Sequence, residues 1–345
     1  MESIEQSTIK KNRYYSIDIM KMVCSLLVSG IHAELFLDIN RPLSELFNGA
    51  FGRIGVPFFA CVSGYFFFKS EINGQKVLIH QVLSLLKYYL MFSAAYIFWE
   101  FLIGAFPAVN IIEMLSIIGK RFLFYGTYYH LWFFPCMIYA LVAVHFARKK
   151  HIVWGLVLLS IVGYLFDALT YSWEKAGRLL ISDLDRLIEW FDFEYIRRFV
   201  GLILPFVLLG LFILHTSDYW TEKCHDRILW IGWGASLAIN LTETAIVLRS
   251  GIARGTTVTF TLMPLIYFTF MLGLRYPLAH QKKLGRFCRN VSIVIYGLHP
   301  LFLECLPKVL PFHLSQTPLW GIAIGLCILI GWLVQNLFRR NKTTL

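Results

Sequence analysis

Charge is what this chain has least of. Asp, Glu, Lys and Arg make up 15% of its 345 residues, against about 25% in soluble globular domains. With 57% of residues hydrophobic, the interior of a soluble fold this size cannot hide the excess, so the chain needs lipid as a solvent. Ser/Gly/Pro-rich linkers and low-complexity tracts are also missing. One bundle is therefore a simpler reading than the two domains that length alone suggests. No internal repeat of the kind that marks inverted-repeat transporters is seen. Neither C-x-x-C nor H-E-x-x-H spacing occurs, so no metal is expected. Five of the seven Cys (Cys24, Cys61, Cys136, Cys305, Cys327) lie in apolar runs and Cys224 and Cys288 fall on the inner side, which leaves no outer pair for a disulfide. Disorder is excluded by 30 Phe, 17 Tyr and 10 Trp, since low hydrophobicity is what keeps a chain unfolded.

What is abundant is apolar runs of roughly 20 residues, long enough to cross a hydrocarbon core of about 30 Å. Ten are counted, at 16–37, 51–68, 80–105, 129–147, 152–171, 195–215, 227–248, 256–274, 289–306 and 317–338. The expected fold is all-α, a polytopic integral membrane protein. Residues 1–15 form an N-terminal tail, 16–338 a ten-helix transmembrane domain and 339–345 a second tail. The first run is too long, and too free of a small-residue cleavage site, to be a removed signal peptide, and reads as a signal anchor.

The net charge of +11 would suggest nucleic acid in a soluble protein, but its distribution says otherwise. With the N-terminus inside, 18 of the 32 Lys and Arg fall on inner segments: Lys10, Lys11, Arg13; Lys69, Lys76; Arg148, Lys149, Lys150; Lys223, Arg227; Arg275, Lys282, Lys283, Arg286, Arg289; Arg339, Arg340, Lys342. Nine are outer. Both termini are expected in the cytoplasm. The largest outer loop, 172–194, carries six acids, Glu174, Asp183, Asp185, Glu189, Asp192 and Glu194. No nucleic-acid partner is expected.

An ionisable side chain inside a span is costly and marks a candidate site. Glu100, Asp167, Arg198 and Glu243 read most simply as groups near span ends that reach headgroup water. The first span is more informative. Lys21 and His32 lie about 20° apart in helical projection and roughly 16 Å apart along the axis; Asp18 lies within about 40° of His32, and Ser25 within about 40° of Lys21. One stripe thus carries an acid, a base, a hydroxyl and an imidazole, expected to face the bundle interior. Glu34, on the far side, reads as an interfacial carboxylate. Ser63 and Gly64 read as a close helix contact rather than a nucleophile.

These residues resemble a known family. SIDIMKMVCSLLVSGIH (Ser16 to His32) is similar to the first span of the acyltransferase 3 family of multi-spanning membrane acyltransferases, which shows an acid, a basic residue, ten intervening residues and a His. GRIGVPFFACVSGYFFF (Gly52 to Phe68), YHLWFFPCMIYAL (Tyr129 to Leu141) and SIVIYGLH (Ser292 to His299) resemble its later motifs, in family order. One departure is Lys21, where the family usually has Arg: an ammonium is a point charge, whereas a guanidinium binds phosphate bidentately. That departure gives weight to branches not proven to be enzymes, such as the membrane domains of membrane-bound serine racemases.

The resemblance implies transfer of an acyl group, most often acetyl from acetyl-CoA, to a hydroxyl of an extracytoplasmic glycan or other small hydroxylated acceptor, in a bacterial cytoplasmic membrane. Acyl-CoA would be the donor, with no metal. On this reading His32 is the general base, Asp18 orients or charge-balances Lys21, and Arg53 stabilises the oxyanion or binds an anionic acceptor. Lys21, Lys282, Lys283, Arg286 and Arg289 would hold the CoA phosphates. His130, Trp132, Tyr296 and His299 would line the acceptor side. Besides membrane lipid, a homo-oligomer or a separate partner domain stays open. The alternative class is a transporter or exporter of a small polar solute or glycan, for example L-serine.

Overall fold

The computed structural model describes residues 14–72, 77–106, 109–181, 193–251 and 258–343. Lys10, Lys11, Arg13, Lys76, Arg186 and Arg254, with the loop acids Asp183, Asp185, Glu189 and Asp192, lie outside the described residues. Among the described residues there is no strand. The helices are α1 (Tyr15–His32), α2 (Arg41–Ile72), α3 (Leu78–Leu102), α4 (Ile111–Lys120), α5 (Phe133–Lys149), α6 (Val153–Ser172), α7 (Glu174–Leu180), α8 (Glu194–Lys223), α9 (Asp226–Ser250), α10 (Leu262–Arg275), α11 (Lys282–Val309) and α12 (Gln316–Thr343).

Each of the ten predicted runs overlaps one of these helices, but 7 are long and apolar enough to cross a membrane: α2, α3, α6, α8, α9, α11 and the 316–337 stretch of α12. Of the remaining three, α5 has 17 residues and α10 has 14. Helix α1 has 18, and Asp18, Lys21 and His32 lower its hydropathy. The exposed flanks are apolar, with Phe98, Ile231 and Leu337 on the surface, while Arg197, Asp167, His130 and His299 are buried. That inverts the pattern of a water-soluble helical protein and suits a bundle surrounded by lipid.

Several boundaries differ from expectation for local reasons. The first helix ends at His32 rather than 37, because Glu34 and Phe36 take positive φ values of 50° and 71° and turn the chain. The second begins ten residues early, at Arg41, after Asn40 caps it by accepting the Leu43 N–H at 2.9 Å. The predicted basic loop Lys282 to Arg289 forms the first turns of α11. Helix α12 continues past 338 to Thr343. Helices α4 and α7, each outside the predicted runs, were not legible as separate elements.

Hydroxyls and small residues join the helices, as expected where lipid offers no hydrophobic drive for association. The polar helix α1 is central to this. Ser16 Oγ donates to the Gly273 carbonyl of α10 at 2.6 Å, Ser25 Oγ to the Ser292 carbonyl of α11 at 2.9 Å, and Trp320 Nε1 of α12 donates to Ser29 Oγ at 2.9 Å. Tyr15 packs on Gly285 and His32 on His299, so α1 and α11 run parallel over their whole shared length. Helices α2 and α8 meet through Gly64 and Gly210: a Cβ at Gly64 would sit 2.4 Å from the Val207 carbonyl oxygen, and one at Gly210 2.4 Å from that of Cys61. Gly64 is thus the close-packing residue that the sequence suggested.

Candidate active site

Three breaks in regular structure converge on one place. The first is the end of α1, which leaves His32 as its last helical residue. The second is the turn before α5, where the sequence had suggested helix from 129. The helix starts at Phe133 instead, and Gly126, at φ 83°, lies so close to Trp132 that a Cβ would be 2.3 Å from its amide nitrogen. His130 and Trp132 therefore project from a tight non-helical segment. The third is Pro300 inside α11, which removes a backbone donor. Next to it, the Tyr96 hydroxyl inserts into the ladder, donating to the Gly297 carbonyl at 2.9 Å and accepting from the Leu301 N–H at 3.2 Å. Such an insertion opens the helix at the turn that carries His299.

The result is a cluster of three histidines from distant parts of the chain. Ring centroids of His32 and His299 are 5.3 Å apart and those of His130 and His299 5.5 Å apart. His299 is 0% exposed and His130 2%. His299 Nδ1 contacts the Ile295 carbonyl at 2.8 Å, which makes it the protonated nitrogen and leaves Nε2 buried without a partner. Neither ring nitrogen of His130 makes a hydrogen bond, although the Gly297 carbonyl lies nearby. Buried polar atoms are seldom left without a partner, and here they belong to two of the three clustered rings. Tyr129 covers His32 at 5.0 Å between ring centres. The Tyr296 hydroxyl donates to the His130 carbonyl at 2.8 Å and fixes that segment.

His32, Arg53, His130, Trp132 and Tyr296 line a single cavity of about 90 Å³, together with Val28, Ile31, Gly52, Val56, Pro57 and Leu202. Arg53 sits in a tightened turn, Gly52–Ile54, that follows a widened one, Phe47–Phe51. Pro57 contributes to this irregularity, since it cannot donate to the Arg53 carbonyl four residues back. Behind Arg53 lies a charge network. Arg197 pairs with Asp167 at 3.2 Å and with Glu194 at 3.1 Å, and Arg198 pairs with Glu194 at 2.7 Å. Arg53 is within electrostatic reach of Asp167, Arg197, Tyr171 and His32, and its Nε is buried without a partner. Arg198 lies over the Trp132 ring at 5.0 Å.

The other end of α1 collects the second predicted group. Arg289 of α11 lies 3.8 Å from Asp18, and Lys21 is within electrostatic reach of both. Lys282, Lys283 and Arg289 are exposed and Arg286 is half-buried, strung along the first turns of α11. Cations there oppose the helix dipole, whose positive end is the N-terminus, and the first turn of α11 carries no acid of its own.

The reading of four acids and bases as headgroup-seeking groups is corrected. Asp167 is 1% exposed and ion-paired with Arg197. Arg198 is held by Glu194 and Trp132. Glu100 takes two bonds from Arg121, at 3.0 and 2.6 Å. Glu243 accepts from Trp173 Nε1, the N–H groups of Phe260 and Thr261, and the Thr261 hydroxyl. Each has a protein partner, which inside a bundle costs less than dragging water inward. Glu34 is exposed, as its interfacial reading required. Sequence reasoning missed Tyr96 and Tyr129 and the linkage of Glu304 to Trp99 and Tyr128. Glu304 lies late in the apolar run 289–306, and an acid inside such a run was the available signal for it.

These features define a helical membrane protein with a small, histidine- and arginine-lined cavity at one end of a parallel helix pair and a cationic group at the other. The chain matches the acyltransferase 3 family model, described as an acyltransferase domain, over residues 14–335, and it belongs to that family. Two curated relatives, both named amino-acid racemase and both from Enterococcus faecalis, are similar to it. One is 25% identical over 97% of this chain and 48% of the relative, the other 26% identical over 64% of this chain and 30% of the relative. The chain thus spans half or less of their length. No solved structure matches.

Proposed function

We propose that this chain is an O-acyltransferase of ten spans, with both termini in the cytoplasm of a bacterial membrane, which moves an acetyl or similar short acyl group from cytoplasmic acyl-CoA to a hydroxyl of a cell-surface glycan. The observation that carries the proposal is the shared cavity of His32, His130 and Arg53. Its volume of about 90 Å³ equals about three waters at roughly 30 Å³ each. That admits a short acyl group but no sugar ring, so the acceptor waits outside, against Tyr129. His32 removes the hydroxyl proton as the oxygen attacks the thioester carbonyl carbon. Arg53 stabilises the oxyanion. Collapse of the intermediate breaks the carbon–sulfur bond, and the departing thiolate takes the proton from the His32 imidazolium, giving an ester and free CoA. Lys21, which Asp18 orients or charge-balances, would hold the CoA phosphates with the α11 cations, roughly 16 Å from His32 along α1, leaving an extended arm to bridge the interval.

The test compares O-acyl content of surface polysaccharide, by mass spectrometry, between cells expressing wild type and His32→Ala at equal membrane abundance. Loss in the variant is expected; equal content rejects His32 as the base. A second reading, uptake of a small polar solute such as L-serine, draws support from the amino-acid racemase name of relatives aligned with 97% of this chain. Uptake of labelled serine by cells with and without the protein checks it: a difference favours that reading and no difference removes it.

A further inference from the structure

A cavity of about 970 Å³, lined by none of His32, His130 and His299, has no part in the mechanism above. It opens between the end of α2, the start of α3, the end of α5 and the start of α6. Its polar side carries Arg148, Lys149 and His151, with Glu71 and His145 at its floor. Glu71 holds both Arg148 and His145, and Arg148 also lies over the Phe68 ring at 5.3 Å. Glu71 offsets one positive charge, while Lys149 and the adjacent Lys150 are exposed and make no ion pair among the described residues. Its apolar side is open: Ile79 is 73% and Trp154 78% exposed, with Leu78 and Val153 beside them.

Two observations fix what the cleft faces. Inward, α5 is tightly packed: Met137, Ala140, Leu141 and Val144 are each 0% exposed, and none of the histidine cluster lines the cleft. Sideways, the exposed Ile79 and Trp154 join the cleft to the apolar outer surface of the bundle. It is also on the same face as the start of α1, since Lys69 Nζ lies 3.3 Å from the Tyr14 hydroxyl.

We propose that this cleft binds one anionic phospholipid of the leaflet facing the α1 N-terminus, its phosphate on Arg148 and Lys149 and an acyl chain along Ile79 and Trp154. On the Lys/Arg distribution this is the cytoplasmic leaflet. Basic pockets between membrane helices on that side suit anionic headgroups, and an interfacial Trp anchors at headgroup level. A lipid acyl chain covers the apolar wall of Ile79 and Trp154, which a free nucleotide would leave in contact with water.

Native mass spectrometry and thermal unfolding of the detergent-purified chain, titrated with phosphatidylglycerol, phosphatidylcholine, glycerol 3-phosphate or CoA, test the proposal. One tightly held phosphatidylglycerol per chain is expected, with phosphatidylcholine held far more weakly. Lys149→Gln should weaken phosphatidylglycerol binding about fivefold, the worth of one cation near a membrane surface, and Trp154→Ala should weaken both lipids. Both residues are exposed, so both variants should fold; the unfolding temperature without lipid checks this. Equal binding of the two lipids, unchanged binding in Lys149→Gln, or occupancy by CoA or glycerol 3-phosphate as tight as by the lipid would each overturn the proposal.

Discussion

Replacing Asp167 with Asn strands the Arg197 guanidinium inside the bundle. The side chains of Arg197 and Asp167 are 5% and 1% exposed and 3.2 Å apart. At an effective dielectric of about 20 their attraction is about 5 kcal/mol, most of it offset by desolvation, so the intact pair contributes little net stability. Breaking it is different: an uncompensated buried charge costs about 3–5 kcal/mol. Glu194 still touches Arg197, at 3.1 and 3.2 Å, which puts the expected loss near the low end, about 3 kcal/mol. With an unfolding entropy of about 2.1 cal/mol/K per residue, that corresponds to roughly 4 °C in Tm for a chain of this size. Thermal unfolding in detergent, followed by size-exclusion fluorescence, measures it. The double variant Asp167→Asn with Arg197→Gln should regain more than half of the loss, because the Arg197 guanidinium no longer lies in the bundle without its aspartate. A Tm within 1 °C of wild type for the single variant, or a double variant as unstable as the sum of both singles, would refute the reasoning.

Gly64→Ala should lower Tm by about 1–4 °C on the same scale, since its methyl would press on the Val207 backbone at 2.4 Å and overpacking costs about 1–3 kcal/mol; wild-type stability would mean that α2 and α8 can part freely. Glu243→Gln replaces a carboxylate that accepts four bonds with an amide that must turn one donor toward the Trp173, Phe260 and Thr261 groups. Protease cutting near 258–261 should then rise several-fold, and unchanged cutting would argue against this role. Tyr96→Phe removes the hydroxyl inserted between Gly297 and Leu301. Faster amide exchange at Leu301 is expected, with a loss of about 1–3 kcal/mol for the unsatisfied groups; protection unchanged from wild type would show that the helix closes without it.

Much of the architecture could be read from the chain alone because lipid leaves so few options. A span must be helical and apolar, so all ten runs land on helices, and the stripe of Asp18, Lys21 and His32 follows from helical geometry within one segment. Long-range pairing was beyond reach. Nothing local says that His299 meets His32 through a parallel α11, or that Arg197 finds Asp167 thirty residues earlier; an isolated charge near a span end looks the same whether it will meet headgroup water or a partner. The misplaced start of α5 has the same origin. The run from Tyr129 to Leu141 is apolar but for His130, and only the contact of Gly126 with Trp132 shows why its first residues leave the helix and aim His130 at the cavity.

The central claim is that the chain, with His32 as general base, moves an acyl group from cytoplasmic acyl-CoA to an outer hydroxyl, and inside-out membrane vesicles test it most directly. Radiolabelled acetyl-CoA supplied to the exposed cytoplasmic face should place hydroxylamine-labile label on lumenal glycan in vesicles with the wild-type chain. His32→Gln vesicles of equal protein content should show none above background. Equal labelling by the two would contradict the account.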